Sequence, residues 1–174
     1  DNVAVGKNCL DACTTGGFNT FVGRESGGAL TTGVGNVGLG NDAGSDITTG
    51  DRNVCIGYNA QPTAVDVDYE FTLGDANITA LRCAVQSIAA LSDERDKTEI
   101  VDSPYGLDFI NSTRPVQFKW QTREGRNADG ETRVGFIAQE LLSASNGDND
   151  ILQLVLDNNP EKLEAAYGNL LPIA

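Results

Sequence analysis

The chain contains no histidine. That excludes a Ser-His-Asp or Cys-His catalytic arrangement, a histidine-ligated zinc and a histidine pH switch. General-base work is left to carboxylate, lysine or tyrosine. Positive charge is scarce: 12 Lys and Arg stand against 25 Asp and Glu, a net charge of -13. No basic patch is present to release counterions from phosphates, which sets aside nucleic acid and anionic membrane surfaces as partners. The four cysteines, Cys9, Cys13, Cys55 and Cys83, include no C-x-x-C pair, so neither a metal site nor a cofactor is expected of them. Three occupy places where a small apolar residue would serve, the pattern of reduced, buried thiols made in a reducing compartment. No apolar run is long enough to insert in a membrane, and none reads as a secretory signal.

What is present begins with a repeat. Asn2-Val-Ala-Val-Gly6, Asn19-Thr-Phe-Val-Gly23, Asn36-Val-Gly-Leu-Gly40 and Asn53-Val-Cys-Ile-Gly57 recur every 17 residues. Thr14-Thr15-Gly16, Thr31-Thr32-Gly33 and Thr48-Thr49-Gly50 keep the same step. Two markers in phase define a solenoid repeat. Each unit reads as two short extended segments, one in N-x-x-V-G and one leading into T-T-G, with glycines at the corners. Val65-Asp66-Val67 replaces the Thr-Thr-Gly marker, so the array is expected to end near residue 60. Such a coil is thin, and Val5, Phe21, Val22, Leu39 and Ile56 would be poorly covered in it. Side-by-side association of three copies covers them, whereas a monomeric solenoid does not. Residues 61–91 follow, with partial period-two alternation through Phe71, Leu73, Ile78, Leu81, Cys83, Val85 and Ile88. Short strands broken at Gly74-Asp75 and Gln86-Ser87, forming a β-prism-like neck, fit this pattern.

The chain changes character at Ala90-Leu-Ser-Asp-Glu-Arg-Asp-Lys-Thr-Glu-Ile100. Beyond it, Val116, Phe118 and Trp120 alternate with Gln117 and Lys119 as in a half-buried strand, with Trp120 expected in the core alongside Phe136. A polar turn follows, tightest at Asp129-Gly130. Val134, Ile137, Ala138 and Leu141 have helical spacing, and Asn159-Pro160-Glu161 reads as a helix cap with proline in the first turn. A small α+β domain over 92–174 results. Glu140 receives no catalytic role.

Ser92 and Lys97 lie at i and i+5 within the junction. A serine hydroxyl becomes nucleophilic when a base removes its proton, and a lysine amine neutralised by burial is such a base. Arg95 can bind a carboxylate of an adjoining copy, stabilise an oxyanion, or form a surface ion pair with Glu94 or Asp96.

The N-x-[AV]-[VI]-G units resemble the repeats of trimeric autotransporter adhesin heads and of bacteriophage tail fibre shafts, where each chain forms a β-roll and three associate. Ser92-Asp93-Glu94-Arg95-Asp96-Lys97, then Arg114-Pro-Val-Gln-Phe-Lys-Trp120, Gly135-Phe-Ile-Ala-Gln-Glu-Leu141 and Tyr167-Gly-Asn-Leu-Leu-Pro172, are similar in order and spacing to the intramolecular chaperone domain of endosialidase-type phage tail spikes and fibres. Myelin regulatory factors share that domain. The resemblance implies an all-β trimeric shaft joined to a chaperone that holds three chains in register and then cuts itself free, a single-turnover serine endopeptidase. It carries over Ser92 as nucleophile and Lys97 as general base, with the cut at Ser92-Asp93. An N-to-O acyl shift onto Leu91 would instead break Leu91-Ser92. It further implies a homotrimer in a virion tail fibre, assembled in host cytoplasm and directed at a host surface receptor. Relatives continue beyond Leu-Leu-Pro into a C-terminal helix, whereas this sequence stops at Ala174; it also starts inside a repeat, so both ends read as cut from something longer. The other functional class is a structural, receptor-binding fibre tip with a retained domain that does not cut.

Overall fold

A computed structural model of the chain describes residues 1–84, 91–121 and 130–173. These form two compact units, one holding Asp1–Ile78 and the other starting at Thr79.

The first unit is a parallel β-solenoid. Its strands are β1 (Val3–Val5), β2 (Thr20–Val22), β3 (Val37–Leu39), β4 (Val54–Ile56) and β5 (Phe71–Leu73), and they pair in chain order. Each residue pairs with the one 17 positions on: Val3 with Thr20, Thr20 with Val37, Val37 with Val54, Val54 with Phe71. The ladder therefore runs one rung past residue 60, where the array was expected to end. The reason is chemical. Glu70 stands where the earlier rungs have asparagine, and its backbone N–H donates to Asn53 Oδ1 (2.9 Å) as an asparagine's would. Val65 C=O likewise accepts the Thr48 N–H (2.8 Å) without any threonine at 65.

Only one segment per turn is a strand. The Thr-Thr-Gly segment is a bend stacked on its neighbours, not the second extended segment expected. Thr14, Thr31 and Thr48 hydroxyls each donate to a carbonyl one rung on, at 3.1, 2.9 and 3.3 Å. The glycine corner explains the tight step between rungs. Gly23 has φ +145°, and a Cβ there would lie 2.1 Å from Gly40 O.

Strand alternation sends Phe21 and Cys55 inward, where both are fully buried with Leu10, Leu30, Ala43, Ile47 and Ala60. Phe21, expected to be poorly covered, is thus the centre of the core. Gly38 makes the room: a Cβ on it would stand 2.2 Å from the Phe21 ring. Burial and the Glu70 charge push the Cys55 thiol up to about 11. Cys9 and Cys13 pack against this core, half-buried, while Cys83 is exposed.

Below the strand corner runs an asparagine ladder, and Asn19, Asn36 and Asn53 are all buried. Asn36 N–H and Nδ2 donate to Asn19 Oδ1 (2.8 and 3.2 Å), and Nδ2 also donates to Gly50 C=O (2.8 Å). Asn36 Oδ1 in turn accepts the Asn53 N–H (2.8 Å). Asn36→Ala would strand the Gly50 carbonyl and the Asn53 N–H away from water. A loss of about 3 kcal/mol or more is expected, read as a lower denaturant midpoint for the solenoid unit.

The outer strand face carries two columns, apolar but for Thr20. One is Val5, Val22, Leu39, Ile56 and Leu73; the other is Val3, Thr20, Val37, Val54 and Phe71. Val5, Phe71 and Leu73 are 56%, 61% and 47% exposed.

From Thr79 to Ala84 the described backbone carries no strand. The strands expected over residues 78–84 are absent because no neighbour offers them a ladder among the described residues of a single chain. The rest of the expected alternation, Val85 and Ile88, and the expected break at Gln86-Ser87 lie outside the described residues.

The second unit is a small α+β assembly. Its helices are α1 (Leu107–Ser112), α2 (Ala138–Ala144) and α3 (Asn149–Leu152). Its hairpins are β6 (Val116–Phe118) with β7 (Arg133–Gly135), and β8 (Val155–Leu156) with β9 (Glu164–Ala165). The expected tight point at Asp129 lies outside the described residues; Gly130, beside it, has φ +74°.

The helix expected from Val134 starts later, at Ala138. Val134 pairs with Gln117 and is exposed, and Gly135 continues the strand beneath the Tyr167 hydroxyl. That hydroxyl accepts the Phe136 N–H (3.1 Å) and donates to the Phe136 carbonyl (3.3 Å). A Cβ on Gly135 would meet it at 2.6 Å. Leu141, Leu152, Leu154, Val155 and Ile173 form the core, with Phe109, Ile110 and Phe136 against it. Trp120 is not in that core; it is 39% exposed and packs edge-on against Phe118. It lies beyond the last paired residue of β6, so the ladder does not hold it inward. Asn159-Pro160-Glu161 starts a turn and no helix: the Asn159 side chain accepts the Glu161 N–H (3.1 Å), and the chain then enters β9.

Candidate functional site

The junction residues Leu91 to Ile100 are exposed along their whole length. Within them Glu94–Asp96 form a single 3-10 turn that buries no residue. Asp93, extended at φ -70° and ψ 133°, precedes it as the N-cap. Its carboxylate accepts the Arg95 N–H (2.9 Å), which satisfies one of the donors a helix start leaves open. The same carboxylate takes both arms of the Arg95 guanidinium, from Nε at 3.0 Å and Nη2 at 2.6 Å. The Arg95 contacts hold the Asp93 carboxyl below the usual carboxylate range and raise the guanidinium in return.

Lys97 closes the turn. Its backbone N–H donates to the Glu94 carbonyl at 3.1 Å, and its side chain returns across the turn so that Nζ donates to Ser92 Oγ at 2.6 Å. The structure thus brings Ser92 and Lys97 together and puts Asp93 and Arg95 on each other. Arg95 is 87% exposed in its side chain and pairs with Asp93, not with Glu94 or Asp96. Glu140 forms an ion pair with Arg114, two residues ahead of β6.

A serine hydroxyl within hydrogen-bond reach of an amine is the geometry a general base needs. The Lys97 amine donates in this contact; a neutral amine in the same place could accept the Oγ proton. The sequence places Asp93 at the scissile bond; its role as the cap of the turn is what the structure adds. An aspartate ahead of a short polar turn is the signal of an N-cap.

Comparison with protein families places a boundary at the same serine. Residues 92–147 match the chaperone of endosialidase, a peptidase family. No curated protein and no solved structure matches the chain. The match to the endosialidase chaperone supports a chaperone role for this segment and, at a coarse level, a peptidase. It opens on Ser92, takes in Lys97, the β6–β7 hairpin and α2, and closes at Gly147. Tyr167 lies beyond it, yet its hydroxyl is bonded to Phe136 inside it.

Proposed function

We propose that residues 92–173 act as an intramolecular chaperone that aligns three copies of the chain and then severs itself from the solenoid at Ser92. The observation that carries the cutting step is the 2.6 Å contact between Lys97 Nζ and Ser92 Oγ at the first residue of the family match. Neutral Lys97 takes the Oγ proton, and the oxygen attacks a peptide carbonyl. Attack on the Leu91 carbonyl forms an ester to Ser92 and frees the Ser92 amine; water then hydrolyses the ester. Cleavage at Ser92-Asp93, the bond the family resemblance favours, calls for the hydroxyl of a neighbouring copy, because a serine attacking its own carbonyl closes a small, strained ring.

Association is supported by the two apolar columns of the solenoid face, which a single chain leaves in water. It also bears on the chemistry. Burial is what neutralises a lysine for base catalysis, and residues 91–100 are exposed in the single chain. Neighbouring copies supply the cover, so cutting follows assembly. Pairing long β-structure among three chains is slow and exposes edges, and a globular domain that associates first raises the effective concentration of the shaft strands. Its removal afterwards makes unfolding of the shaft irreversible in practice. By the same reading the shaft belongs to a phage tail fibre, assembled in host cytoplasm and directed at a host surface receptor.

A chain that never cuts would be the adhesive fibre tip of the second reading. Denaturing electrophoresis with intact mass measurement separates the two: two fragments meeting at Ser92 are expected, and their masses name the broken bond. A single full-length band from correctly assembled protein would sink the self-cleaving reading.

A further inference from the structure

An interval of five residues does not by itself bring a lysine to a serine. Extended, those residues span roughly 17 Å, and only the Glu94–Asp96 turn folds Lys97 back. Little holds that turn. It buries no residue, and its backbone bonds are Asp96 N–H to Asp93 C=O and Lys97 N–H to Glu94 C=O, both 3.1 Å. A single 3-10 turn in water is marginal without further support. That support is the Asp93 carboxylate, which reaches over the turn to the Arg95 N–H.

We propose that Asp93 is a positioning residue for cleavage at Ser92: its carboxylate caps the turn that delivers Lys97 Nζ to Ser92 Oγ. The inference rests on the Ser92–Lys97 reading. Asp93 takes no proton from the reacting atoms; it raises the fraction of chains in which the amine and hydroxyl are in contact. The cap and not the ion pair is the operative contact, because the Arg95 guanidinium is largely in water, where such pairs contribute little.

The test compares first-order cleavage of the full chain, across pH, in Asp93→Ala, Asp93→Asn, Asp93→Ser and Arg95→Ala, with oligomeric state and circular dichroism checked for each. Asp93→Ala is expected to cut about tenfold more slowly, with the pH midpoint of the rate unmoved. Asparagine and serine, which cap without charge, should return the rate to within about twofold of wild type, and Arg95→Ala should stay within the same range. If Asp93 acted through its charge on Lys97, neither substitute would rescue and the midpoint would fall to lower pH. That result, or an unchanged rate in Asp93→Ala, overturns the proposal. A second measurement does not depend on cutting: an NMR contact between the Lys97 ε-methylene and the Ser92 β-methylene in the uncut chain. It should be present in wild type and Asp93→Asn and lost in Asp93→Ala. A wild type that never cuts but shows this pattern defeats the cleavage reading and upholds the role of Asp93; a contact that persists in Asp93→Ala defeats the role of Asp93.

Discussion

Lys97→Ala is expected to leave the chain whole, with cleavage slowed by about 10²–10⁴, the usual contribution of a positioned general base. Ser92→Ala, which removes the proposed nucleophile, should yield no fragments at all. The double variant should be no slower than Ser92→Ala, because the two groups act as one unit and their effects do not add. Lys97→Arg is the informative conservative change. Its guanidinium can still donate to Ser92 Oγ as Nζ does across 2.6 Å, but it does not give up its proton in a protein, so it cannot serve as base. Rescue by arginine would mean that the contact is structural. A time course on denaturing gels, with each variant shown to assemble as wild type does, reads all four.

The second large effect is expected in the solenoid. Gly23→Ala places a Cβ 2.1 Å from Gly40 O, at a φ of +145° that side chains rarely adopt. Neither partner can yield, since Gly40 is itself a corner with φ +137° and its own Cβ position is 2.5 Å from Gly57 O. The atoms that an alanine at 23 meets are backbone, so none can turn aside as a flexible side chain would. A loss above about 4 kcal/mol is expected, in the range reserved for severe steric and backbone defects, seen as loss of the cooperative thermal transition of the solenoid. Gly17→Ala is the control: nothing stands within 4 Å of its Cβ position. It should be neutral or stabilise by a few tenths of a kcal/mol, by restricting the unfolded chain.

These two sites show what could be read from the amino acids alone. The solenoid was legible because every rung meets the same neighbours, so Asn2, Asn19, Asn36 and Asn53 and the glycines behind them had to repeat. Its end was misplaced because Glu70 and Val65 break the lettering while keeping what matters to the neighbour, a backbone donor and a backbone acceptor. Phe21 looked uncovered because its space comes from Gly38, a missing side chain one rung away. In the second unit the order of motifs was legible and the packing was not. Tyr167 holds Phe136 from 31 residues away, and a tie of that kind leaves no period to find; it is also why β7 persists where helical spacing suggested α2. At the junction, Ser92 and Lys97 could be named from their company in the sequence, but their contact depends on a turn for which Asp93, named only at the scissile bond, is the cap.

The sameness of the rungs carries a further cost. Thr20, Val37 and Val54 present nearly the same surface at the same step, so a neighbouring copy displaced by one whole repeat would find almost equivalent contacts. On the proposed reading, in which copies associate through this face, the array favours chains lying side by side but barely specifies which rung faces which. An irregular fold with no internal period, such as the unit that begins at Thr79, has no such ambiguity. On the same reading, such a unit joined to the array would serve as the address that the repeats lack, and once every rung had been matched that address would have no further use.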